Sequence, residues 1–254
     1  MPKLTDVCLA TIDPDAPALA AQWGLGLELD EFCTAMNMDD PALFAPLDGK
    51  IRAYGALPRI FHAPFSELFP CAIDPRVRQV TRERLDQSFA LAQSYGLKRM
   101  VCHGNFLPST YFPQWFVEQS VGFWKDFMAD KPADCSIYLE NVLEPEPELL
   151  RDIVAGVDDP RFRLCLDVGH ANMGHVSDLP ISRWLDVCLP LLGLVHLHNN
   201  DRSWDWHRPL GDGTLDMEAI VSRLLRDAPG LSVTLEHSAD SELSLRWLAE
   251  RGWI

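Results

Sequence analysis

The sequence has no C-x-x-C pair, no Gly-x-Gly-x-x-Gly turn, no linker rich in Gly or Ser, and few positive charges. Each absence excludes a class of protein. Seven cysteines without close pairing, three of them (Cys8, Cys102 and Cys165) inside apolar runs, read as reduced and mostly buried thiols, as expected in the cytoplasm. The N-terminus lacks a basic region followed by an apolar core, so no secretory signal is expected. The longest apolar stretch, Val187 to Leu197, is interrupted by Pro190, Gly193 and His196 and is too short to span a bilayer, so no membrane segment is expected. With 22 Lys and Arg against 37 Asp and Glu, the net charge is -15. That excess repels phosphate backbones and argues against a general nucleic-acid binder, leaving DNA as a disfavoured partner. The missing Gly-rich turn argues against a dinucleotide fold, and the missing linker predicts one domain over residues 1–254.

The composition, 47% hydrophobic and 23% charged, is that of a folded globular chain. Short runs rich in Val, Ile and Leu alternate with longer segments of helical spacing. Eight strands are predicted: Asp6 to Ile12, Gly26 to Phe32, Arg59 to Ala63, Arg99 to His103, Ser136 to Asn141, Arg163 to Val168, Gly193 to His198 and Ser232 to Glu236. Helices are predicted over Arg76 to Tyr95, Trp115 to Ala129, Pro147 to Ala155, Ile181 to Cys188, Met217 to Arg226 and Ser241 to Glu250. The first helix and the stretch Cys33 to Leu57 show the weakest pattern. Eight strands alternating with helices predict an α/β fold, a single (β/α)8 TIM barrel, with a doubly wound open sheet as the alternative.

Polar residues at the C-terminal ends of barrel strands are functional candidates. Six consecutive predicted strands end in metal-type ligands: His62 on the third, His103 on the fourth, Glu140 on the fifth, Asp167 and His170 at the sixth, His196 and His198 on the seventh, and Glu236 on the eighth. Any one of these alone reads as an ordinary structural residue. Together on one rim they would be costly to bury without a cation, and mixed His, Asp and Glu donors suit Zn, Mn, Co or Fe. After the seventh strand, Asp205 and His207 form an Asp-x-His pair leading into a turn with Gly211 and Gly213. Asp216 reads as a helix N-cap.

The strings His103-Gly104-Asn105, Leu139-Glu140-Asn141-Val142, Leu166-Asp167-Val168-Gly169-His170, His196-Leu197-His198-Asn199, Pro209-Leu210-Gly211-Asp212-Gly213 and Thr234-Leu235-Glu236 resemble the xylose isomerase-like TIM-barrel superfamily. That group includes sugar phosphate isomerases and epimerases and the endonuclease IV (AP endonuclease family 2) enzymes. For an isomerase the resemblance implies one Mn, Co, Mg or Zn ion on Glu140, Asp167, His196 and Glu236. The two glutamates would then act as acid and base beside a carbonyl, and His170 would orient a substrate hydroxyl. His196 rather than His198 fits the family's His-x-x-Asp pattern, although Asn199 stands where Asp is usual. For an endonuclease IV-like enzyme it implies three zinc ions. The first would lie on His62, His103 and Glu140, the second on Glu140, Asp167, His196 and Glu236 with Glu140 bridging, and the third on His170, Asp205 and His207.

From the charge balance the favoured expectation is a divalent-metal-dependent isomerase or epimerase of a sugar or sugar phosphate, with His198, Arg202, Trp206 and Arg208 as substrate contacts. The alternative is an endonuclease IV-like phosphodiesterase acting on abasic DNA or another phosphoester. A silent metal-binding scaffold is the third class considered. Exposed aromatic surface would suggest a homo-oligomer.

Overall fold

The computed structural model describes residues 2–254. Runs such as Met100-Val101-Cys102 and Leu164-Cys165-Leu166 are buried throughout, because a parallel strand in a barrel meets helices on one side and the lumen on the other. Eight such strands close in sequence order: β1 (Asp6–Ala10), β2 (Gly26–Leu29), β3 (Pro58–His62), β4 (Arg99–His103), β5 (Ser136–Glu140), β6 (Phe162–Asp167), β7 (Leu192–Leu197) and β8 (Ser232–Leu235). All pairs are parallel, and β8 returns to β1. The predicted (β/α)8 barrel is therefore the observed fold, and the open sheet is excluded.

The outer layer is α1 (Ala16–Trp23), α2 (Met36–Asp39), α3 (Pro41–Ala53), α4 (Pro75–Ser94), α5 (Pro113–Met128), α6 (Glu148–Val157), α7 (Val168–Asn172), α8 (Ile181–Cys188), α9 (Met217–Asp227) and α10 (Ser241–Glu250). The weakly patterned stretch Cys33 to Leu57 holds α2 and α3. It gave little signal because Ile51 is the one buried side chain of α3, Pro46 stands inside that helix, and α2 buries none. Start signals elsewhere work as expected. Asp74 accepts from the Arg76 amide at 2.8 Å with Pro75 opening α4, and Asp216 caps α9 by accepting from the Ala219 amide at 3.0 Å. Among the described residues no helix is long and apolar enough to cross a membrane, and all seven cysteines are free.

Strand period two stacks the lumen in layers. Cys8, Ile60, Val101, Tyr138, Cys165 and Leu194 form an apolar cluster separate from the main core, which lies between sheet and helices. Two residues N-terminal to this layer, Asp6 accepts from Arg99 Nη1 and Ser232 Oγ, each at 2.6 Å, and from Arg59 Nη1 at 3.0 Å, closing the lumen floor. Two residues C-terminal to it stand His62, His103, Glu140, Asp167 and His196, so strand parity alone turns all five to the same end.

Candidate metal centre

Sheet register sets the height of each donor. His103 pairs with Glu140, and Asp167 with His196, which in turn lies opposite Thr234. The Glu140 carboxylate faces two ways. Its Oε2 is 3.2 Å from His62 Nε2 and 3.3 Å from His103 Nε2, while Oε1 is 3.4 Å from both His170 Nδ1 and His196 Nδ1. His196 Nδ1 also lies 3.0 Å from Glu236 Oε2 and 3.8 Å from Asp167 Oδ2. Asp205 Oδ2 sits 3.1 Å from His170 Nε2 and 2.9 Å from His207 Nε2. Four donor sets result: His62, His103 and Glu140; Glu140, Asp167, His196 and Glu236; His170, His198, Asp205 and His207; and, behind the first, Asp30, Cys33 and His62. Within each set the donor atoms lie within 4.8 Å of one another.

These residues fit divalent cations. Glu140, Asp167, His196 and His198 are fully buried, and Glu140 Oε1, Glu236 Oε2, Asp205 Oδ1 and His196 Nδ1 lack a well-aligned hydrogen-bond partner. Buried carboxylates facing imidazole nitrogens need either shared protons or a coordinated ion, and the mixed N and O donors suit ions of borderline softness. The electrostatics point the same way. Burial opposes charge on Glu140, yet His196 and His103 hold its carboxyl well below the usual range. Burial likewise opposes charge on His170, but Asp167 and Asp205 raise it well above the usual imidazole value. His207 is raised to about 9 against its burial, chiefly by its bond to Asp205. Glu140 is thus held in its anionic form, and the protons that His170 and His207 retain are what a bound cation would replace.

Several residues of the centre escape a reading of strand ends. Glu28 on β2 is buried with Oε1 3.2 Å from His196 Nε2, and it accepts from Thr234 Oγ1 at 2.5 Å. It thereby turns His196 Nδ1 toward the second donor set, the orienting role carboxylates play behind metal-ligating histidines. Its signal was a lone acid inside Gly26-Leu27-Glu28-Leu29, at the parity that faces the lumen. Cys33 Sγ lies 3.3 Å from His62 Nδ1. Nearby Asp30 is pushed up to about 8 by burial, which His62 offsets in part and Glu28 and Glu236 reinforce. Asn141 clamps the Asp167 backbone with two hydrogen bonds of 2.9 Å. His237 is buried without a partner for either ring nitrogen, and burial, with His198 and His207 beside it, lowers it to about 3.

A cavity of about 250 Å³ opens over the centre, walled by residues that include Ile12, Asp30, Phe65, His103, His207 and Glu236. Phe65 stacks on His103 with ring centroids 4.2 Å apart. The residues proposed from sequence as substrate contacts lie outside this wall. His198 is beneath the mouth, with Nε2 3.0 Å from both Asp167 oxygens. Arg202 donates to the Ser177 carbonyl at 3.3 Å, and Arg208 pairs with Asp201 at 3.1 Å while lying over the Trp206 ring at 5.4 Å. Asp205 and His207 reach the centre on a loop held by a bridge between Asn199 and Arg208. Of the two glycines after it, Gly213 packs against the Asn199 side chain, whereas Gly211 has room.

Residues 19–254 match the family of xylose isomerase-like TIM barrels. An uncharacterized protein of Methanocaldococcus jannaschii is 25% identical over 174 residues, and the match spans 65% of this chain and 59% of that relative's length. A solved protein of Thermus thermophilus, soaked with ZnCl2, is similar at 26% identity and a TM-score of 0.75, with 97% of each chain covered. The apo form of 3-keto-D-glucoside 4-epimerase from E. coli shares the fold, with a TM-score of 0.70 at 17% identity, covering 97% of this chain and 99% of that one. With the closed barrel and the family match in agreement, the chain belongs to the xylose isomerase-like TIM barrels.

Proposed function

We propose that this protein is a metal-dependent phosphoester hydrolase acting on a small molecule, with two ions sharing Glu140 and a third on His170, Asp205 and His207. One observation carries the reading: the two oxygens of a single buried carboxylate face two separate donor sets. A one-metal isomerase would use Glu140, Asp167, His196 and Glu236 and leave His62, His103, Asp205 and His207 clustered without a task. Divalent ions in such sets supply Lewis acidity toward phosphoryl oxygens and acidify water for in-line attack. The chain's own part is to fix the donor spacing through Glu140, to orient His196 through Glu28, and to wall the cavity with Phe65 and Ile12. The ZnCl2 soak of the similar Thermus protein is in keeping with zinc among the candidate ions.

A small substrate is supported by the cavity size and by cations that are already paired. Lys50 lies 3.2 Å from Glu31, Arg52 lies 3.0 Å from Asp48, and Arg208 is held by Asp201. With a net charge of -15, little is left to grip a duplex. The test is metal analysis of the purified protein together with hydrolysis of a panel of small phosphodiesters and phosphomonoesters in ¹⁸O-labelled water. About three divalent ions per chain and label in the released phosphate are expected, and a single ion per chain would overturn the reading.

A second reading, a metal-dependent isomerase or epimerase of a sugar or sugar phosphate, is favoured by the paired glutamates of the second donor set. Glu140 and Glu236 both approach His196 Nδ1, at 3.4 and 3.0 Å, and could flank a hydroxycarbonyl as acid and base. The E. coli epimerase of the same fold is in keeping with it. It predicts one ion per chain and solvent deuterium beside the product carbonyl.

A further inference from the structure

We infer that the cavity over the metal centre selects a phosphoester of a compact apolar alcohol or phenol, not of a sugar or other polyol. The inference rests on the hydrolase reading above and names its substrate class. Ile12, Phe65 and Val142 are the apolar part of the wall, and every other residue that lines the cavity belongs to one of the four donor sets. Among the described residues no Lys, Arg, Ser, Thr, Asn, Gln or Tyr lines this space. With the donor sets occupied by ions that take the phosphoryl oxygens, the three apolar side chains are left to meet the rest of the substrate. The backbone adds little, since the Phe65 amide donates to the Cys33 carbonyl at 3.3 Å and the Val142 amide to Glu144 Oε2 at 2.7 Å. A sugar hydroxyl against this wall would lose its water without gaining a partner, a cost that an apolar group does not bear. The wall is also fixed in advance. The Phe65 ring lies on His103, and the Phe65 carbonyl accepts from Asn105 Nδ2 at 2.9 Å. Ile12 is 40% exposed, so an apolar group seated on it removes surface of both from water. The cavity, about 250 Å³, falls short of the roughly 300–1,000 Å³ of sites for drug-sized ligands, which limits the organic arm to a compact group. In the reaction the bond from phosphorus to the apolar alcohol breaks, water supplies the oxygen of the new phosphorus–oxygen bond, and the alcohol leaves with a proton of that water.

Calorimetry of the zinc-loaded wild type with cyclohexylphosphonate and with methylphosphonate tests the wall without turnover, because the two probes share the phosphonate and differ in apolar carbon alone. Cyclohexylphosphonate should bind at least about 10-fold tighter, with a more negative heat-capacity change. Ile12→Ser, at an exposed position outside the donor sets, should narrow that gap several-fold while the metal content stays at the wild-type value. Equal affinity for the two probes, or a gap untouched by both Ile12→Ser and Phe65→Ala, would overturn the inference. Turnover supplies the second arm, using the phosphate esters of cyclohexanol and of a cyclohexane polyol, which share one ring and differ in hydroxyls. In ¹⁸O-labelled water the cyclohexyl ester should be cleaved with a kcat/KM at least about 10-fold higher. Equal or faster cleavage of the polyol ester would overturn the inference and leave the hydrolase reading in place. Cleavage of neither ester, with the phosphonate preference intact, would instead overturn the hydrolase reading and leave the apolar selectivity standing.

Discussion

Replacing Glu28 by Gln alters one atom of a buried side chain that lies outside the cavity wall, so any effect on metal binding must pass through His196. Burial opposes charge on Glu28, and His196 lowers its carboxyl below the usual value. A full charge pair at the observed 3.2 Å would be worth about 5 kcal/mol at an effective dielectric of about 20. A neutral imidazole at that distance keeps a fraction of it. Loss of such an orienting carboxylate typically weakens metal binding by about 10–100-fold, or about 1.4–2.8 kcal/mol. Gln fills the same space and can still meet Thr234, so the ring should stay in place while its basicity falls. Competition against a chromophoric zinc chelator should show one equivalent weakened in this range and the others unchanged. The metal-free variant should melt below the wild type at neutral pH, because the His196 ring loses its buried anionic partner. If every equivalent binds within twofold of the wild type, Glu28 does not act through His196.

Three further outcomes follow from the same geometry. Glu140→Ala should abolish tight binding of two equivalents at once, whereas His207→Ala should affect one; zinc analysis after dialysis distinguishes them. On the lumen floor, burial opposes charge on Asp6, but bonds from Ser232 and Arg99 hold its carboxyl below the usual 3.8. A depressed folded value contributes stability that is present above the unfolded value and lost as pH falls through the folded one. Asp6→Asn should therefore lower the melting temperature at neutral pH, and its gap to the wild type should close on acidification below about pH 4. Finally, a Cβ on Gly213 would meet the Asn199 side chain and the Asn200 carbonyl, while one on Gly211 has Trp247 as its nearest neighbour at 3.7 Å. Gly213→Ala should cost about 1–3 kcal/mol in a denaturant melt, and Gly211→Ala should be near neutral.

The barrel was legible because parallel strands buried on both faces leave unbroken apolar runs, and the predicted strands differ from those observed by at most a few residues at their ends. The strand-end donors were legible for the same reason: His62, His103, Glu140, Asp167 and His196 follow directly on such runs. Elements that bury little were harder to see, as α2 and α3 show. The short α7 was missed because Asp167 serves as both donor residue and N-cap, accepting from the His170 amide at 2.6 Å, so strand and helix meet with no loop between them. Glu28 was missed because a single acid within a strand looks solvated until closure turns it inward. The placement of Arg202 and Arg208 depended on their local partners, Ser177 and Asp201, which no spacing rule reveals.

The loop that delivers Asp205 and His207 is fastened by two backbone hydrogen bonds of 2.9 Å between Asn199 and Arg208, and the Arg202 carbonyl is tied to the Gly174 amide at 2.9 Å. Arg202 and His207 hold left-handed backbone angles, with φ of 71° and 46°, inside that frame. The entropy of closing this loop is therefore lost when the chain folds and not when an ion binds. An arriving cation meets a backbone already in position and has only side chains to settle, so the mouth of the barrel is a preorganised receptor whose selectivity rests on donor spacing.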